Sequence, residues 1–430
     1  MTFGMNTAYP DDATRERIVA AARALLLANR SQGTRVIEGR ECEYLYTRPS
    51  PLKYPHQWLW DSSFHAIVAS RFDPEAAKRE VAGLFHGMRA SGFMSNMILW
   101  HGPGSLPERL GTRLFVRGMT SNITQPPVIA IAVEEVYRNT QDLEFVRRYL
   151  PLVQKYYQWL ATHRDPDGDE LVSVIHPWET GIDATPAFDS LGGIAEARPH
   201  PLRVYRFLYG LLLRHALLCW DEERILAGGT FDVEHVLFNC IYAQGLRSIS
   251  RLSALCGHAA DTALYAARAD RVEQAIVELC WDGERALFFD VAAPGQRQLK
   301  ASTISALFPI ILDTIPADML DALVRTHLLN ESEFWLPFPV PSVSAQEPAF
   351  NPGDNALLWR GPTWINTNWF LVRGLRKHGY ADVARELAAR SIALVDRAGF
   401  REFYDPYTGA GCGEQSFGWS TLVVDMLDQR

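Results

Sequence analysis

The sequence predicts an all-α chain folded as a barrel of six helical hairpins, (α/α)6, with one decorated end. Three observations point there. Apolar residues recur at helical spacing through most of the 430 residues. Strand-like runs are scarce. The connections alternate between short and long, so the long ones would all leave the same end of a ring of antiparallel helices.

Taken in order, helices are expected at 11–30, 61–71, 74–90, 125–138, 142–163, 203–219, 232–255, 259–279, 302–312, 316–328, 363–377, 380–397 and 414–428. Asp11 and Asp12, Asp73 before Pro74, and Asp232 look like N-terminal caps and first-turn acids. "LVSVI" (171–175) and "LFFDV" (287–291) suit short hairpins. The brief connections fall at 72–73, 139–141, 256–258, 313–315 and 378–380. The long ones are 31–60, 91–124, 164–231, 280–301, 329–362 and 398–413. Long loops in a compact domain are usually functional. No 34- or 40-residue repeat appears, which weakens the alternative of a helical solenoid. The expected organisation is one catalytic domain over 1–430, with 164–231 as a long insertion carrying an extra helix.

Composition narrows the function classes. A net charge of −8 gives no basic face for nucleic acid or an anionic membrane surface. No stretch approaches the ~20 apolar residues of a membrane helix. The first residues lack the basic and apolar regions of a signal peptide, so a cytoplasmic location is expected. Six scattered cysteines with no CxxC pair read as reduced core thiols. His56, His65 and His176 lack metal-ligand spacing, and nothing signals a metal or another cofactor. A homo-oligomer remains open.

The loops carry the chemistry. "YPHQWLWDSSFHA" (54–66), "TSNITQPP" (120–127), "HPWETGIDATP" (176–186), "WRGPTWINTNWF" (359–370) and "REFYDPYTGAGCGEQSFGWS" (401–420) would converge on one end of the ring. Each supplies aromatic rings, carboxylates or amides. Flat rings stack on sugar C–H faces, and acids and amides bond the hydroxyls, so the expected partner is a small carbohydrate. Asp61 is either a helix cap or a carboxylate gripping a sugar beside Trp58 and Trp60. Trp178 and Trp364 are either core aromatics or stacking platforms.

With these stretches in place, the chain resembles glycoside hydrolase family 63, from Tyr54 to Leu427. The matching segments are "WLWDSSFHA", "TQPP", "HPWETGID", "RGPTWINTNW" and "EFYDPYTGAGCGEQSFGWSTLVV". Its length is similar to the branch acting on mannosylglycerate and glucosylglycerate. The resemblance implies an (α/α)6 barrel and an inverting α-glycosidase. One carboxylic acid protonates the leaving oxygen while a second carboxylate activates water on the opposite face. It assigns the acid to Asp183 and the base to Glu402, which precedes an aromatic-Asp-Pro-x-Thr-Gly stretch. Glu414 is the competing base, or else a first-turn acid of the last helix. The resemblance places Tyr54, Trp58, Trp60, Asp61, Gln125, Trp178, Glu179, Trp359, Trp364 and Gln415 at the substrate. Glu179 would raise the pKa of Asp183 by like-charge repulsion, and Gln415 would help hold the water. A trehalase-like hydrolase, a non-catalytic carbohydrate-binding homologue and a histidine-dependent epimerase are the alternatives.

The chain departs from the family at Ala184 and Ala187 after the acid, and at Leu358 before "WRGP". Both changes lie near the sugar or aglycone and bear on substrate identity. Arg109, Arg113, Arg198 and Arg203 are candidate cations for an anionic aglycone. The glycine-bearing loops 31–60, 91–124 and 164–231 are expected to close over the substrate.

Overall fold

The computed structural model describes residues 9–37, 39–293, 295–353 and 356–428. Fourteen α-helices are seen among them: α1 (Asp12–Ala28), α2 (Leu59–Ala69), α3 (Pro74–His86), α4 (Leu106–Thr112), α5 (Ile129–Thr140), α6 (Leu143–His163), α7 (Pro201–Leu217), α8 (Glu222–Ala227), α9 (Val236–Leu255), α10 (Ala259–Ala275), α11 (Ala317–Ala322), α12 (Ile365–Lys377), α13 (Ala381–Ala398) and α14 (Val423–Met426). Two further helical positions are held by 3-10 turns, Ile304–Ile311 and Gly418–Leu422. Pro309 lies inside the first and supplies no N–H to continue an α-helix there.

Local chemistry explains the starts. Asp11, Asp73 and Asp142 accept from the backbone N–H of Thr14, Ala76 and Phe145, at 2.8, 3.1 and 3.0 Å. Asp232 does not cap its helix. His235 caps α9, and Val233–Glu234 is a strand, so the expected start at 232 is four residues early.

Burial separates two kinds of helix. α2 is buried on every face, and α9 nearly so. α3, α6, α10 and α13 keep one polar face exposed. The buried elements touch in a closed cycle: α2 to α5, α5 to α9, α9 to 304–311, that turn to α12, α12 to 418–422, and 418–422 back to α2. α3, α6, α10 and α13 pack outside α2, α5, α9 and α12. The C-terminal ends of the cycle's elements line one 630 Å³ cavity with Glu134, Arg251, Asp313, Arg373 and Asp425. Their N-terminal ends therefore share the opposite end of the molecule.

The long connections leave from that opposite end, and short strands tie down their roots. Arg30–Ile37 pairs antiparallel with Arg40–Thr47, where an unstructured loop was expected. Gln57–Trp58, Met97–Ile98, Thr120–Ser121 and Val116–Arg117 form a four-stranded sheet between the first two long connections. Ser173–Val174 pairs with Val233–Glu234 rather than within its own hairpin. Around 287–291 the expected hairpins form, with Trp281–Asp282 and with Arg297–Leu299. The insertion 164–231 carries two helices, α7 and α8, not one. The expected helix over 414–428 is replaced by a strand, Gly411–Gln415, then the 3-10 turn and α14. Gly413 at φ +61 and Ser416 at φ +52 interrupt any helix there. All six cysteines are free thiols.

Candidate active site

Asp183 is carried by a loop that its own residues brace. His176 accepts from Trp178 N–H at 3.1 Å and starts the 3-10 turn Pro177–Thr180. Burial pushes His176 down to about 3, so it stays neutral and can accept. Gly181 follows at φ +76, and a Cβ there would lie 2.6 Å from the Trp60 ring. Only glycine lets the backbone pass over that ring, which brings Asp183 to the N-terminal end of α2.

Glu402 comes from the hairpin Arg401–Tyr404 with Gly411–Gln415. It is 2% exposed. The Tyr54 hydroxyl donates to its Oε1 at 2.8 Å, and the Glu414 backbone N–H donates to Oε2 at 3.0 Å. The Trp419 indole N–H fixes the backbone carbonyl of Glu402 at 3.0 Å. A Cβ at Gly413 would sit 2.6 Å from Glu402 Oε2, so this glycine is what lets the Glu414 N–H reach the carboxylate.

Asp61 lies in the first turn of α2, 4% exposed. One turn on, His65 is fully buried, with Nδ1 3.5 Å from Glu80 Oε1. Glu80 is itself fixed by Thr47 N–H and Oγ1 (2.9 and 2.7 Å) and Ser62 Oγ (2.8 Å).

The three acids interact through charge. Burial, then the Glu402 carboxylate, then Asp61 push Asp183 up to about 7, with only its own backbone N–H opposing. Burial also raises Asp61 to about 7; His65 opposes, while Glu402 and Glu80 add to the rise. Glu402 is raised by burial too, but the Glu414 N–H, Lys53 and the Tyr54 hydroxyl all favour its charged form. Tyr54 is held neutral, pushed far up by burial and by Glu402. The site therefore contains two carboxyls, Asp183 and Asp61, that are half-protonated near neutrality, beside Glu402, whose hydrogen bonds oppose the upward push of burial.

The remaining expected residues divide. Gln125 is buried here, its Oε1 accepting from Trp60 N–H at 3.3 Å. Trp58 stands edge-on to Tyr54 at 6.3 Å. Trp60 packs on Trp359 and Trp419. Trp359 and Trp364 stack on each other at 3.7 Å, and Trp364 is fully buried, so it is floor rather than an open platform. Trp178 packs edge-on to Phe115, His176 and Tyr209 and braces the acid loop.

Glu179 does not join the cluster. It is fully buried, gripped by Arg164 at 2.7 and 2.9 Å and by the N–H groups of Thr124 and Ile175. Its charge is neutralised, and Glu402 and Asp61 perturb Asp183 in its place. Gln415 is exposed, opposite Arg401 in the hairpin. Glu414 is a strand residue whose backbone serves Glu402, not a first-turn acid. Among the candidate cations, Arg198 donates to Phe350 O, Arg203 pairs with Glu196 and Arg109 contacts Pro103 O. Lys53, which the sequence did not single out, is the cation that acts on Glu402.

Paired carboxyl groups on loops at one end of a helical ring define a class, the glycoside hydrolases that work by acid–base assistance. Residues 54–420 match the mannosylglycerate hydrolase MGH1-like glycoside hydrolase domain. The chain belongs to that family. A mannosylglycerate hydrolase of Thermus thermophilus is 33% identical, over 88% of this chain and 95% of that one. A glucosylglycerate hydrolase of Mycolicibacterium hassiacum is 27% identical, over 94% and 96%. The crystal structure of a GH63 mannosylglycerate hydrolase from Thermus thermophilus, in complex with Tris and D-glycerate, superposes with a TM-score of 0.83 at 30% identity. The match covers 95% of this chain and 99% of that one. The neutral trehalase of Saccharomyces cerevisiae shares the fold alone, with a TM-score of 0.62 at 16% identity.

Proposed function

We propose that the protein is an inverting α-glycosidase that hydrolyses mannosylglycerate or glucosylglycerate to the free sugar and glycerate. Asp183 is the general acid and Glu402 the general base. The observation that carries this is the contrast between the two carboxyls. Asp183, at about 7, can deliver a proton to the glycosidic oxygen at neutral pH. Glu402, held by Tyr54 and the Glu414 N–H, stays available to take one from water. As the C–O bond breaks, the sugar acquires oxocarbenium character, and the water attacks from the face opposite the leaving glycerate. Asp61 and Gln125 grip the sugar, with Trp58 and Tyr54 walling the site and Trp60, Trp359 and Trp364 supporting its floor. The closed cycle of buried helices, with partners packed outside it, supports a single catalytic (α/α)6 barrel over the chain. Free thiols support a cytoplasmic location, and no helix among the described residues is long and apolar enough to cross a membrane.

The test is a panel of mannosylglycerate, glucosylglycerate, trehalose and short α-glucans, with the product anomer followed by NMR at early times. Release of the β-sugar from one of the two glycerates is the expected result. Cleavage of trehalose or glucans in preference, or first appearance of the α-anomer, would refute the reading.

A further inference from the structure

One helix of the insertion 164–231 carries an apolar stripe that the chain itself leaves bare. α7 turns Val204, Leu208, Leu211, Leu212 and His215 inward. Its other side presents Leu202, Arg206, Tyr209, Gly210, Leu213 and Leu217, all exposed. At 3.6 residues per turn these six fall within one strip roughly 100° wide. The three leucines are 50–74% exposed, on the side of an amphipathic helix that polar residues normally take. A contiguous exposed apolar surface marks an interaction site.

Gly210 narrows the kind of interaction. Glycine weakens a helix interior, and a Cβ here would meet nothing within 4 Å, so the chain's own packing does not require it. A missing side chain in the middle of an apolar helix face is what lets a second helix come close. The stripe is also its own complement. Its spacings of 4, 3, 1, 3 and 4 residues read the same from either end. Antiparallel pairing about a two-fold axis between positions 209 and 210 sets Leu202 of one copy against Leu217 of the other. The same register sets the stem of Arg206 against Leu213, and the Tyr209 ring over Gly210, with every contact made twice. A membrane suits the stripe less well, because Arg206 lies within it and the net charge of −8 opposes an anionic surface.

Two crossing helices bury less than the ~800 Å² per partner of a stable dimer. α4 stands beside them. Its Leu106 and Leu110 are exposed one turn apart, and it leads into Leu114 and Phe115, which pack with Leu212 of α7. The Trp220 indole N–H, just beyond α7, donates to Leu114 O at 3.0 Å and ties the two segments together.

We propose that the protein forms a two-fold dimer through α7, centred on Tyr209 and Gly210, with α4 at the rim. The interface lies one layer from the loop that carries Asp183. Tyr209 stands edge-on to Trp178 at 5.7 Å, and His176 Nε2 donates to Leu208 O at 3.1 Å. The second copy thus clamps the helix on which that loop is built.

The test is sedimentation equilibrium of the full chain at about 10 µM, within reach of the micromolar or tighter Kd of such interfaces. Wild type should sediment at twice the chain mass. Leu213→Arg sets two arginines against each other twice and should weaken the dimer at least about a hundredfold. Leu213 is half-exposed and arginine is a good helix former, so this variant should keep the wild-type circular dichroism. Adding Arg206→Glu to it should restore the dimer. Gly210→Leu fills the crossing point and should weaken association about tenfold or more, while its helix content equals or exceeds that of wild type. A wild type that sediments as a monomer would overturn the proposal, whether or not it floats with phosphatidylglycerol vesicles. So would a dimer that Leu213→Arg and Gly210→Leu leave intact, or a double variant that stays monomeric.

Discussion

The two ends of the helical cycle differ in whether all their carboxylates are paired. At the end where the inner helices finish, every acid has a cation. Glu134 accepts from Arg251 at 2.7 and 2.8 Å, Glu135 pairs with Arg373 at 2.5 Å, and Asp425 contacts Arg71 and the Trp369 indole N–H. There Arg251 holds Glu134 low, Lys377 holds Asp313 low, and Arg373 with Arg71 holds Asp425 low, each against the push of burial. Where the same helices begin, Asp61 and Asp183 have no such partner, and burial raises both to about 7. Burial is common to both ends. The difference is the counter-charge, and its omission at one end leaves a proton available at neutral pH. The comparison teaches that carboxylates denied partners, rather than carboxylates in number, mark the end proposed to be reactive.

Substitutions can break this contrast, and the largest effect should come from the unpaired acids. Asp183→Asn and Glu402→Gln should each lower kcat by at least about 10²–10⁴-fold. Asp183→Asn should leave Tm equal or higher, because it removes a half-buried unpaired acid. Asp425→Asn should do the reverse. It should cost about 1–3 kcal/mol of stability, since it strips partly exposed Arg71 and Arg373 of a charge, while leaving kcat near wild type. Steady-state kinetics and thermal unfolding of the variants decide between these outcomes.

Tyr54→Phe should come next. It removes a hydrogen bond to the charged Glu402, worth about 1.5–3 kcal/mol, so the acid limb of kcat/KM should move up by about one to two pH units. An unmoved limb would mean that Tyr54 does not tune the base.

The pH dependence of stability should carry opposite signs at the two ends. Asp61 and Asp183 have folded pKa values above their unfolded ones, so the stability they lend is complete below about pH 4 and lost as pH rises through about 7. Glu134, Asp313 and Asp425 have lowered values, so their contribution is present above the ordinary carboxylate pKa and disappears as pH falls below it. Asp183→Asn should flatten the loss between pH 4 and 7, and Asp425→Asn the acid-side loss. Urea unfolding across pH reads both.

The smallest effect should be Glu414→Gln, within about twofold of wild type in kcat, as expected for a half-exposed side chain whose backbone makes the contact. A dead Glu414→Gln with an active Glu402→Gln would exchange their roles.

Much of this was legible in the chain. Helical spacing gave the core of most helices, and the alternation of loop lengths placed "WLWDS", "TQPP" and "EFYDP" at one end. What periodicity could not see were features set by single backbone conformations or by distant partners. The hairpin 30–47 turns at Gly39, φ +77, and has a largely exposed first strand, so no apolar alternation announces it. The expected helix at 414–428 fails because Gly413 must pass within contact of Glu402, a constraint from a residue eleven positions away. Glu179 reads as a site acid because it stands four residues before Asp183, but Arg164, from the end of α6, claims it. Lys53 carries no motif, and only the folded geometry shows which carboxylate feels it.

The most direct measurement is the titration of Asp183 itself. Carboxyl carbon-13 NMR of protein labelled at aspartate, with Asp183→Asn used to assign the signal, reads its charge without substrate. A midpoint near 7, falling when Glu402→Gln removes the neighbouring charge, is the expected result. A midpoint near the ordinary aspartate value of about 4 would mean that Asp183 carries no proton at neutral pH, and would contradict its role as the acid.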